Sequence, residues 1–179
     1  MFLVSGKRGQ VWVETAIYTL IGLTVIAIVL SVATPQLQRM KDRGVVSQTA
    51  DSLFLINKKM LEVGDVSGNI RIVRFKINKG SMEIDGENDL IRYGLENTNV
   101  KYSEPGVPVS EGDIVYLTEE YGKRYNIFLS LEYEDFDIVN NGNDDKRVLN
   151  AAGVAYEIKI ENLGFDEGSG KIKLDVGVI

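Results

Sequence analysis

Glu14 is the side chain that most needs a chemical explanation. It is the single charged residue in a 23-residue apolar run, residues 11–33. A carboxylate at the centre of a bilayer-spanning helix costs roughly 2.5–3.5 kcal/mol on insertion, and less near an end. Immediately before the run stand Lys7, Arg8 and Gly9, then Gln10. Where water is excluded, an ammonium and a carboxylate offset each other, whereas either one alone is expensive. A blander explanation puts Glu14 at the interfacial end of an ordinary anchor helix, solvated by headgroups and favoured by the positive helix N-terminus.

Composition removes most other chemistry. The 179 residues contain no cysteine and no histidine, so disulfides, thiolate ligands, imidazole ligands and the commonest general base are all absent. An enzyme would depend on carboxylates, lysine or tyrosine, and neither catalysis, a cofactor nor a metal is expected. The oxygen-rich run 140–145, Asn-Asn-Gly-Asn-Asp-Asp, lacks the spacing of a calcium loop and is expected to be a polar hairpin loop. Glu132, Glu134, Asp135 and Asp137 form an acidic stripe that could offer a catalytic carboxylate pair, but alternation along an expected strand puts Glu132 and Glu134 on a solvated face, and catalysis is not expected there. Tyr93, Tyr102, Tyr116, Tyr121 and Tyr125 suit either a sugar-stacking surface or a sheet core with wet hydroxyl tips, and the second is expected.

The apolar run is long enough to cross a membrane. As a helix it measures about 34 Å, against a hydrocarbon core of about 30 Å. Ser31 and Ala33 are spaced for signal-peptidase cleavage, but the run exceeds the roughly 7–15 residues of a secretory signal core. Seven basic and four acidic residues fall in 1–63, thirteen and twenty-two in 64–179, giving net charges of +3 and −9. Lys7 and Arg8 precede the run while Arg39, Lys41 and Arg43 follow it, so the positive-inside count leaves orientation open. The acidic remainder repels phosphates, and no nucleic acid partner is expected.

The pattern Lys7-Arg8-Gly9, Gln10 and Glu14 resembles the class III signal of archaeal type IV pilin-like proteins, a superfamily of adhesion pilins and archaellins. The resemblance covers residues 6–62. It implies that a prepilin peptidase cuts after Gly9 on the cytoplasmic side, making Gln10 the first residue and Glu14 the fifth. The apolar helix would wait in the cell membrane and then be drawn into an extracellular surface filament of identical subunits, with the rest of the chain facing outward. An assembly ATPase and a membrane platform protein are the implied partners. In the filament core Val13, Ile17, Leu20, Ile21, Val25, Ile28 and Val29 would pack on neighbouring helices, with Gly22 and Ala27 allowing close approach. Adhesion is the role expected of it, with motility, surface sensing and DNA uptake left open by the sequence. No Asn-x-Ser/Thr acceptor occurs, so N-glycosylation, frequent in the family, is not expected. From a different class stands a permanently anchored β-domain acting as receptor or binding module.

The elements that position these residues read as an α+β fold. Pro35 is expected to kink the helix without ending it. Beyond it Leu37, Met40, Val46, Ala50, Leu53, Phe54, Met60 and Leu61 recur at helical spacing, with Gln38, Arg39, Lys41, Asp42, Lys58 and Lys59 on the other side. From residue 64 the period becomes two. About seven strands are expected, at 70–77, 81–84, 89–95, 113–118, 125–133, 154–160 and 172–178, joined mainly as antiparallel hairpins. The expected organisation is therefore a leader at 1–9, an apolar membrane or filament-core helix at 10–35, an amphipathic continuation at 36–63, and an extracellular antiparallel sheet or small sandwich at 64–179, packed on the helix.

Overall fold

The computed structural model describes the backbone from residue 7 to 179 and side chains from Val11 onward. One helix, α1 (Lys7–Gly64), is followed by ten strands. The chain divides into two compact units, residues 1–40 and 41–179. Pro35 lies inside α1, which continues past it. The proline removes only the amide that would have bonded the Ser31 carbonyl, a local loss that the flanking turns tolerate.

In the second unit, the helical residues bury one narrow stripe. Val46, Leu53, Ile56, Met60 and Val63 are fully enclosed, and their spacing of seven, or three plus four, marks a single helix face. The expected amphipathic assignment needs correction at its margins. Phe54 and Leu61, counted with the apolar side, are exposed, and Asp42, counted with the polar side, is buried. There are more apolar residues here than one sheet-facing stripe can cover, so the sheets select among them. Phe54 and Leu61 each follow a buried residue by one position, which rotates them about 100° out of the contact.

The helix ends where its last carbonyls find donors. Asn162 donates to the carbonyls of Val63 at 2.9 Å and Gly64 at 3.1 Å, and Asn69 donates to that of Glu62 at 3.1 Å. No basic side chain occupies the last turn, so these amides do the capping. At Gly64 a Cβ would lie 2.7 Å from the Phe136 ring, so a larger residue there would have to displace that ring.

Ten strands make two sheets. The first has the order β1 (Ile70–Phe75), β9 (Tyr156–Asp166), β10 (Lys171–Val178), β7 (Phe136–Val139). The second runs β4 (Val109–Glu111), β5 (Ile114–Tyr121), β6 (Arg124–Glu132), β3 (Leu90–Thr98), β2 (Ser81–Asp85), β8 (Lys146–Asn150). Alternation fixes register: Ile91, Tyr93 and Leu95 stand opposite Leu131, Leu129 and Ile127, all buried. In the other sheet Val73 faces Ile158 and Ile160 faces Val176. Both sheets and the stripe of α1 contribute to one core.

Three strands exceed the sequence expectation, namely β4, β7 and β8, with three, four and five residues. Runs this short show no readable period. A further departure is that β7 pairs in parallel with β10. The chain leaves β6 in one sheet, places β7 at the edge of the other, and returns to β8 in the first. The direction of β7 is thus set by this crossing and not by a hairpin. The run 140–145 makes the return: Asn140 and Asn143 bridge across a tight turn, with Asn141 and Gly142 both at positive φ. It joins strands of different sheets, so the expected hairpin loop between paired strands does not form.

Candidate functional site

The apolar part of α1 is the candidate site. Every described side chain from residue 11 to 37 is exposed, and the helix is long and apolar enough to cross a membrane. Val13 is 60% exposed, Ile17 50%, Leu20 66%, Ile21 53%, Val25 54% and Ile28 60%. These six lie on one side of the helix, within about 140° of arc at roughly 100° per residue, and Leu23, Ile26, Val29 and Leu30, exposed by 56–61%, lie on the other, so its apolar character is not confined to one stripe. Gly22 has open space where a Cβ would stand.

Polar atoms within this stretch are mostly satisfied by the helix itself. Thr15, Thr19, Thr24 and Thr34 donate their hydroxyls to the carbonyls four residues back, at 2.7–2.9 Å, and Ser31 donates to Ile28 at 2.7 Å. Back-bonding hides each hydroxyl proton without a neighbour or water. The exceptions are Trp12, Glu14 and Tyr18 near the N-terminal end and Gln36 near the other, all exposed. Glu14 has no ion-pair partner among the described residues. Lys7, Arg8, Gly9 and Gln10 lie in the first turns of α1, but their side chains, and with them the expected leader junction, fall outside the described residues.

Sequence reading passed over two features of this surface. Trp12 and Tyr18 are amphipathic aromatics of the kind enriched at a lipid–water boundary, and their places two and four residues from Glu14 were available as a signal. The satisfied hydroxyls had a signal too, since threonine in an apolar helix commonly bonds backward.

Other sequence-nominated residues fall into structural roles. Asp42 lies on the buried face of α1, where it accepts from Lys79 Nζ at 2.7 Å and from Thr98 Oγ1 at 2.6 Å. Farther along, Asn57 donates to Asp113 at 2.6 Å. The two contacts pin residues 42–57 of the helix at both ends. Glu132, Glu134 and Asp135 are exposed, and Asp137 pairs with Lys173 at 3.2 Å. Tyr93 is buried with its hydroxyl donating to the Lys79 carbonyl, and burial pushes its pKa up to about 12. Tyr116 is buried and stacks on Tyr102 at 5.1 Å, whereas Tyr121 is 69% exposed and Tyr125 half-buried. The tyrosines therefore do not form one surface. Among the described residues no group of three or more Asp or Glu is placed to hold a metal ion.

No protein-family model, curated protein or solved structure matches this chain.

Proposed function

We propose that the chain is a structural subunit of an extracellular type IV pilus-like filament, cleaved after Gly9 by a prepilin peptidase and assembled through residues 10–35. The observation that carries this reading is a helix apolar on all sides, exposed along residues 11–37, with its hydroxyls bonded to its own backbone. Such a surface suits a medium without water. It serves equally in lipid before assembly and among identical helices afterwards, so the exchange changes little apolar exposure to water and close packing decides it.

In this reading Glu14 receives the new Gln10 amine of a neighbouring copy, and Val13, Ile17, Leu20, Ile21, Val25 and Ile28 pack on adjacent helices. An assembly ATPase and platform protein supply the work of extraction, and adhesion is the role assigned to the finished filament. Residues 64–179 form its outer surface.

Terminal sequencing and intact mass of membrane-extracted material test the processing step, with Gln10 expected as first residue. In cells, Glu14→Ala is expected to yield processed subunits but no filament. A chain starting at Met1 and remaining monomeric in detergent overturns the proposal in favour of an anchored receptor domain, and wild-type filament yield from Glu14→Ala overturns the pairing role.

A further inference from the structure

We infer that the β domain carries a binding site for an alkylammonium group, in the cleft between residues 57–61 of α1 and the adjoining ends of β5, β6 and β7. The cleft has a volume of about 350 Å³, within the range of small-ligand sites. Its charge is one-sided: Asp113, Glu132, Glu134 and Asp135 line it, and none of its described lining residues is basic. Anions are therefore repelled and a cation is drawn in.

Carboxylates alone would attract any cation, and two further features select an organic one. The Tyr133 and Phe136 rings lie 5.8 Å apart, tilted by 38°, and with Leu61 and Val115 they give apolar wall to the same cleft. An alkyl stem can lie along Leu61 and Val115, the accessible part of this wall, while its charged head meets the acids beside the two largely buried rings. Second, the Tyr133 hydroxyl is the one buried side-chain polar atom without a hydrogen-bond partner among the described residues, in a side chain only 8% exposed. Leaving such a group unsatisfied is costly. Burial, then the nearby charge of Asp113, push the phenol pKa upward, so the hydroxyl stays protonated and its oxygen is available to accept from an ammonium. Asn57 holds Asp113 at 2.6 Å, which fixes one acceptor beside that oxygen.

A neighbouring cleft of about 560 Å³ shares Glu132, Tyr133 and Glu134 but does not compete as a cation site. Its Lys146 and Lys171 already pair with Asp85 and Asp89, at 2.8 and 2.7 Å.

The test uses the full chain in a neutral detergent, titrated with n-pentylammonium chloride and, in parallel, sodium pentanoate, followed by calorimetry and saturation-transfer NMR. Saturable binding of the ammonium and none of the carboxylate is expected. Asp113→Asn is expected to weaken binding by about tenfold or more. Tyr133→Phe is expected to weaken it severalfold while leaving the thermal stability of the unliganded protein unchanged or higher, because the hydroxyl it removes bonds to nothing. Glu119→Gln, on an exposed position outside the cleft, is expected to bind as wild type. An Nα-acetyl-lysine amide arm separates the sources: tighter binding than pentylammonium assigns the group to a lysine of another chain, weaker binding to a free amine. Absence of saturable ammonium binding, equal binding of pentanoate, or wild-type affinity in both Asp113→Asn and Tyr133→Phe overturns the inference.

Discussion

Two stretches of one helix behave in opposite ways. Residues 11–37 expose every described side chain, whereas residues 42–64 bury a stripe one or two residues wide against two sheets. The first is apolar all round and the second on selected positions, and this distribution decides what each can do. A helix with a single apolar face can satisfy it within its own chain, but one that is apolar on every side has more such surface than a domain of this size can cover. Polar groups follow the same division. Hydroxyls in the first stretch bond inward to the helix backbone, while Asp42 and Asn57 in the second reach out to Thr98, Lys79 and Asp113.

That contrast is broken most forcefully by paired truncations. Leu53→Ala is expected to destabilise the β domain by about 2–5 kcal/mol, since it leaves a cavity in a closed core. Leu20→Ala is expected to leave the denaturation midpoint of that domain within about 0.5 kcal/mol of wild type. Denaturant titration of both variants in detergent, followed by tyrosine fluorescence, checks the pair, and equal losses would show that the two stretches are not distinct.

A smaller effect is expected at the upper pin. Asp42→Ala leaves Thr98 and Lys79 without their acceptor and is expected to cost about 1–3 kcal/mol. Thr98→Val, which removes one bond and keeps the shape, is expected to cost less in the same titration.

The smallest effect is pH-dependent. Hydrogen bonds from Lys146 and Asn88, opposed by burial, hold the Asp85 carboxyl below its ordinary value of 3.8. A depressed carboxyl pKa contributes stability that is present above the unfolded value and lost as pH falls through the folded one. The β domain is therefore expected to lose stability below about pH 4, and Lys146→Met to flatten that acid limb. Residues 11–37, whose only carboxylate is Glu14, are expected to keep their helicity in detergent over the same range. Circular dichroism separates the two.

Much of the fold was legible because the relevant signals are local. A 23-residue run with one charge specifies a long apolar helix wherever it sits, and the alternation in 125–133 and 172–178 specified strands whose buried apolar residues match that period, although Ser130, Asp175 and Gly177 between them are buried as well. The short strands β4, β7 and β8 were not legible, and neither was the parallel pairing of β7 with β10, because each depends on where distant segments leave an open edge. The cleft around Tyr133 was likewise hidden. Asn57, Asp113 and Phe136 lie far apart along the chain, and nothing in their local sequence marks them as neighbours.

The sequence by itself determined the length and all-round apolarity of the first half of α1, the position of Glu14 within it, and the switch to a period of two after residue 64, since each is a property of neighbours along the chain. Tertiary structure alone decided that Asp42 is buried while Phe54 is not, and that Tyr133 keeps a hydroxyl without a partner among the described residues. A side chain's burial depends on which surface packs against it, and that surface comes from residues far away in the sequence.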